Sequence, residues 1–178
     1  MADHLLKLLR KRRSIRQFTS RPIEADKLDA IIEAAVRSPT SRGRSPWEFI
    51  VVADPHLLQR LSSAKAHGSA FLAGAPLAIV VAADTARSDV WTEDCSIAAM
   101  IIQLAAEDLG LGSCWAQIRL RPHNAACSAT QYLQELLGLP ATYEVECIIG
   151  IGYPGEEKPG HAKSSLPFHQ VHRDRFGS

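Results

Sequence analysis

Arg12, Arg13 and Arg16 place three guanidiniums within five residues, with the Ser14 hydroxyl among them. Guanidinium is a rigid fork of N–H donors, so this grouping suits bidentate, charge-assisted bonds to a phosphate. By itself the run also reads as a solvated basic patch, because Lys7, Arg10 and Lys11 beside it are ordinary surface charge. Two further segments bear on the choice. Ser38-Pro39-Thr40-Ser41-Arg42-Gly43-Arg44-Ser45-Pro46-Trp47 crowds hydroxyls, a glycine and two prolines before an aromatic, a composition that brings backbone close to a ligand and equally suits a plain turn. Leu109-Gly110-Leu111-Gly112-Ser113-Cys114-Trp115 puts two glycines ahead of a strand. It lacks the strand-before, helix-after order and the spacing of a dinucleotide fingerprint, which argues against a Rossmann site.

Other reactive residue types point nowhere as sharply. Cys95, Cys114, Cys127 and Cys147 are scattered without CxxC pairing, as small hydrophobes in a reducing cytoplasm would be. His169 and His172, with His161, stand near one another in the tail. No carboxylate or cysteine accompanies them at a compelling spacing, so they read as surface or interface side chains and no metal site is expected.

These segments must be positioned by elements written in the hydrophobic pattern. Leu5, Leu6, Leu8 and Leu9 give a first helix an apolar face, delivering the basic cluster to a turn. Leu28, Ile31, Ile32 and Ala35 recur at helical spacing over 24–36, with Glu24 and Asp26 at the start. Pro55 opens a helix over 56–64, the apolar stretch 93–109 predicts a central helix closed near Gly110, and 129–137 predicts another closed by Gly138. Strands are expected over 49–53, 77–83, 113–118 and 145–151. The polar stretch 156–178 retains Leu166, Phe168, Val171 and Phe176, which predicts contact with something apolar.

The 178 residues, 46% of them hydrophobic, fit one domain. A net charge of +1 provides no field for nucleic acid or an anionic membrane. The longest apolar run, 73–83, is too short to span a bilayer, and the N-terminal residues lack a secretory cleavage pattern. A cytoplasmic protein is expected.

Taken together and in order, Arg12 to Arg16, Ser38 to Trp47, Leu109 to Trp115, Gly152-Tyr153-Pro154 and Lys163 resemble the nitroreductase family of flavoenzymes over nearly the whole chain. That family opens with an Arg-Arg-Ser-x-Arg-like signature after its first helix and follows its second with Ser-Pro-Ser-x-x-Asn-x-Gln-Pro-Trp. It continues with Leu-Gly-x-Gly-x-x-Trp and closes with Gly-Tyr-Pro and a downstream basic residue.

The resemblance implies an α+β fold with a central mixed sheet flanked by helices, in an interlocked homodimer whose extension 156–178 wraps the partner. FMN would lie at the subunit interface. Carried over by position, Arg12, Arg13, Ser14, Arg16 and Lys163 would hold its phosphate and ribityl chain, and Pro39, Thr40, Ser41 and Gly43 would approach the ring from the partner. Ala116, Gln117 and Ile118 would run beside the ring edge, where a backbone N–H stabilises charge on the reduced flavin. NADH or NADPH would reduce the flavin, and a nitroaromatic, quinone or similar small acceptor would reoxidise it in ping-pong order, with no residue acting as a covalent catalyst.

This chain departs from the family at Gly43, where an asparagine is usual, at Ser45, where a glutamine is usual, and at Ser165, where some relatives carry a second basic ligand. Losing one charge-assisted bond would weaken FMN binding by about 1.5 to 3 kcal/mol unless Arg13 or Arg16 compensates. Relatives also carry out dehalogenation, dehydrogenation of small heterocycles and flavin fragmentation. The stretch 119–130, with Arg121, His123 and Asn124, is expected to shape the acceptor pocket and decide among these. A non-enzymatic nucleic-acid binder using 10–16 is opposed by the charge balance and by the lack of interleaved aromatics. A flavin sensor without turnover is the remaining reading.

Overall fold

The structure, a computed structural model, describes residues 2–177. Five helices and four strands follow in the order α1 (Ala2–Lys11), α2 (Ala25–Val36), β1 (Trp47–Val52), α3 (Pro55–Ser62), β2 (Leu77–Asp84), α4 (Trp91–Asp108), β3 (Gly112–Gln117), α5 (Ala129–Leu137) and β4 (Tyr143–Gly152). Local chemistry sets several boundaries. Asp54 caps α3 by accepting from the Leu57 N–H, with Pro55 in the first turn. Ser128 and Gln131 form a reciprocal capping box on α5, and Gly138 ends that helix at φ +69°.

The strands form one sheet in the order β1-β2-β4-β3, and every neighbouring pair is antiparallel. The mixed sheet that the resemblance implied is corrected here. β2 and β3, joined through α4, do run in the same direction, but β4 inserts between them and pairs antiparallel with both. Among the described residues, parallel pairing survives only as a single bridge between Ser14 and Ser113.

Each face of the sheet buries its own core. Ile79, Val81, Ile149 and Ile151 pack against Ile31 and Ala35 of α2 and Cys95, Ala99 and Ile102 of α4. Ala78, Val80 and Ile148 pack against Leu58 and Leu61 of α3 and Leu133 of α5. Strand alternation would put Val145 and Cys147 on one face, yet they belong to opposite cores. The register explains it: Val81 faces Cys147 and Ala82 faces Val145, so Glu146 is the extra residue of a β-bulge.

Cys95, Cys114 and Cys147 are buried free thiols and Cys127 is half-buried and free. Burial pushes the Cys95 thiol up to about 12, and these cysteines pack as the sequence suggested. Among the described residues no helix is long and apolar enough to cross a membrane.

Part of the apolar surface has no cover within the chain. Leu5, Leu6 and Leu9 of α1 and Ile97 of α4 are exposed, as are Leu166, Phe168, Val171 and Phe176 of the tail. Among its described residues the tail has only one-turn 3-10 segments at Lys163–Ser165 and Phe168–Gln170.

Ile149 is fully buried between the sheet and α4. Ile149→Ala is expected to lower unfolding free energy by about 2 to 5 kcal/mol, measured by denaturant titration at fixed protein concentration.

Candidate cofactor site

The basic cluster leaves α1 and becomes extended along the outer edge of β3. Arg12 N–H still donates to Leu8 O at 2.7 Å, and then Ile15 N–H donates to Ser113 O at 3.0 Å. Farther on, Phe18 bridges Pro154, and Gly155 N–H donates to Gln17 O at 2.8 Å. Ile15 is buried at the centre of this ladder. A Cβ on Gly112 would lie 2.9 Å from Ile15 Cβ and Cγ2, so glycine there lets the basic segment lie flat on the sheet. Gly110, at φ +76°, makes the preceding turn.

The result is a cavity of about 420 Å³ lined by Leu9, Arg12, Arg13, Ser14, Arg16, Lys158 and His161. No carboxylate lines it. Lys158 is the residue the motif reading missed: its Nζ donates to Ser14 O and to Glu156 Oε1, both at 2.9 Å. Arg13 Nη1 donates to Pro159 O, tying the cluster to the same segment. Lys163 instead lies on an exposed turn outside this cavity.

Glu156 fastens the segment from the other side, accepting from Arg16 N–H at 2.6 Å and Gln17 N–H at 3.2 Å. The Arg16 N–H, then the Lys158 ammonium, hold its carboxyl down at about 2. Tyr153 of the Gly-Tyr-Pro turn anchors α2 in parallel. Its hydroxyl donates to Glu24 Oε2 at 2.7 Å and accepts from Lys27 Nζ at 2.8 Å. That hydroxyl is the largest of the influences holding Glu24 at about 2.

β3 is an edge strand, so half of its backbone is free for a ligand. Ile15 donates to Ser113 from outside and Ile118 N–H donates inward to Glu146 O at 3.1 Å. Alternation therefore turns the backbone of Trp115 and Gln117 outward, while Ala116 and Ile118 face β4 and bury their side chains. The stretch 119–130 folds back on itself. His123 stacks on Tyr132 at 4.2 Å, Asn124 Oδ1 accepts from the Ala126 and Cys127 N–H groups, and Arg121 is exposed.

Pro39, Thr40, Ser41 and Gly43 form a tight loop ahead of β1. Arg42, Gly43 and Ser45 all take positive φ (54°, 64° and 45°), backbone that costs a non-glycine residue energy and needs external support. Asp94, buried in the first turn of α4, accepts from Ser41 N–H at 2.8 Å and from the Ser88 hydroxyl at 3.2 Å. Thr40 Oγ1 accepts from Ser45 N–H at 3.0 Å. The sequence reading did not single out Asp94.

Within one chain the two groups of residues do not meet. The loop enters β1 at one edge of the sheet, whereas the basic cluster lies on β3 at the other, three strand spacings or about 14 Å away. They also sit at opposite ends, because Trp47 pairs toward Glu144 and Gln117 toward Cys147, while Ser113 pairs with Ile151.

The Nitroreductase family profile matches residues 9–68 and 63–153. A protein of Archaeoglobus fulgidus, described provisionally as an NADH dehydrogenase/NAD(P)H nitroreductase, is 36% identical over 98% of this chain and 99% of its own. The FMN reductase (NAD(P)H) of Bacillus subtilis is 29% identical over 98% of this chain and 75% of its own. The solved structure of an FMN-dependent nitroreductase from Clostridium difficile superimposes with a TM-score of 0.95 at 48% identity, covering 96% of this chain and 99% of that one. The chain belongs to the nitroreductase family, whose fold the antiparallel sheet and its flanking helices reproduce.

Because the folded-state Glu156 carboxyl lies below its ordinary 4.5, its stabilising contribution is present above that value and is lost as pH falls toward about 2. Glu156→Gln is expected to remove this part of the acid dependence, so that the difference in melting temperature between wild type and variant shrinks through that window.

Proposed function

We propose that the protein is an FMN-dependent NAD(P)H oxidoreductase working as a homodimer. The observation that carries this reading is the cavity on the β3 edge, where Arg12, Arg13, Arg16 and Lys158 converge beside the Ser14 hydroxyl with no acidic residue in the lining. A phosphate dianion matches that donor set. Lys158 supplies from the near side the charge that Ser165 lacks, and Lys163 reaches the phosphate only if the exposed tail closes over it.

Bound there, FMN supplies the two-electron redox chemistry, with NADH or NADPH as reductant and a nitroaromatic, quinone or similar small molecule as acceptor in ping-pong order. The chain's own part is placement. Gln117 offers an outward backbone N–H to the ring edge from the end of β3, and Ala116 and Ile118 lock that strand from behind. Pro39, Thr40, Ser41 and Gly43 close the site from the second chain, since they lie at the far corner of their own sheet. The exposed leucines of α1, Ile97 of α4 and the apolar residues of the extension 156–178 are the surfaces that the second chain covers. The single domain spans 1–178, and a cytoplasmic setting suits the free thiols.

The purified protein is expected to be yellow, to retain or rebind FMN, and to be bleached by NADH or NADPH under anaerobic conditions. A colourless preparation that never binds FMN sinks the proposal. Lys158→Ala is expected to weaken FMN binding by about tenfold or more, the effect of one lost charge-assisted bond. Lys163→Ala should cost less, as fluorescence titration of the apoprotein would read.

A further inference from the structure

Glu146 is an ionisable residue in an apolar core, and the family chemistry leaves it without a task. It is 4% exposed, and its placement follows from the bulge that inserts it into β4 opposite the Val81–Ala82 step of β2. From that position it meets the end of β3 twice. Its carbonyl accepts from both Ile118 N–H and Arg119 N–H, each at 3.1 Å. Its carboxyl Oε1 accepts from Gln117 Nε2 at 3.2 Å. The Gln117 amide is filled on its other side by Trp115 Nε1, donating to Oε1 at 2.9 Å. Oε2 of Glu146 is buried and has no hydrogen-bond partner among the described residues.

We propose that Glu146 is a positioning residue for the cofactor's ring edge: through its carbonyl and its carboxyl it fixes the last residues of β3, and with them the outward-facing backbone of Gln117. This inference rests on the FMN reading. Bulges re-aim strands beside functional sites, and a half-satisfied buried carboxyl is a poor device for stability alone. An apolar residue of similar volume would fill the same space at lower cost, so the polar contact to Gln117 is what the carboxyl contributes.

Burial disfavours the charged form of this carboxyl. Desolvation raises it above the ordinary range, opposed by the Gln117 hydrogen bond and the Arg119 charge and reinforced by Glu93. The groups facing it are therefore Gln117 on β3, Arg119 just beyond, Glu93 on α4, and the Cys95 and Cys147 thiols, which register its charge in turn. A carboxyl whose folded value is raised makes the native state lose stability as pH climbs from the unfolded value through the folded one. Glu146→Gln removes that slope and keeps a hydrogen-bonding group of the same shape.

The test uses the FMN-loaded protein with Glu146→Met and Glu146→Gln. Glu146→Met is expected to melt at or above the wild-type temperature, yet bind FMN about tenfold more weakly, as loss of one buried hydrogen bond allows. Its bound-flavin spectrum should shift, and amide hydrogen exchange should quicken at Gln117 to Arg119. Glu146→Gln should keep FMN affinity within about twofold and lose the decline in stability with rising pH. If wild type and Glu146→Met share affinity, spectrum and exchange rates, the inference is overturned while the FMN reading stands. If Glu146→Met does not fold, Gln117→Leu, which removes the same side-chain contact from its other partner, decides: FMN affinity, flavin spectrum and amide exchange at 118–119 unchanged from wild type overturn the inference, and their shift supports it. A wild-type protein that binds no FMN defeats the underlying reading instead.

Discussion

The structure depends on one contact, the docking of an extended arginine-bearing segment onto the free edge of β3. Ile15 N–H reaches Ser113 O only because Gly112 has no side chain to strike Ile15. That contact aims Arg12, Arg13 and Arg16 at a common hollow and ties it to the strand whose backbone faces outward at Gln117. It also gives Glu156 and Lys158 a partner segment to clamp, and the Glu156 carboxylate, 2.9 Å from Lys158 Nζ, offsets part of the crowding of four like charges. Two cations beside Ser14 would be ordinary surface charge. Convergence on a strand edge is what distinguishes this cluster from such charge.

The second constraint is topological. β4 closes the sheet between β2 and β3, pushing the basic cluster and the hydroxyl-rich loop to diagonally opposite corners. A site that uses both must be completed by another copy of the chain. The uncovered leucines of α1 and the apolar tail are consistent with that arrangement, because a monomer leaves Phe176 92% exposed. The strained loop at Arg42 to Ser45 is held from behind by Asp94 through the Ser41 N–H.

Much of this was legible before the structure. The caps at Pro55 and Gly138 and the helical period of Leu28, Ile31 and Ala35 encode local geometry, and the helices lie close to where those signals put them. The order of Arg12 to Arg16, the Ser38 loop and the glycine pair pointed to the family. Strand pairing was not legible, since the order of β4 and β3 is set by nonlocal packing that no short pattern records. The bulge at Glu146 hides inside an apolar run where alternation is invisible. Lys158 was overlooked because the family motif directs attention to Lys163, five residues farther on, and spacing alone does not tell which lysine the chain folds inward. Asp94 carries no short-range signal for its role, because its Ser41 and Ser88 partners are distant or nonhelical neighbours brought to it by the fold.

The central claim is that each site takes its phosphate grip from one chain and its loop from the other. It is tested most directly by pairing a chain carrying Arg12→Ala and Arg16→Ala with a chain carrying Pro39→Glu, each with its own affinity tag. Pro39 is exposed and Arg12 and Arg16 make no core contact, so both variants should fold. FMN titration of the isolated mixed dimer is expected to show a single bound flavin, although neither parental homodimer binds any. A mixed dimer as empty as its parents would contradict the account.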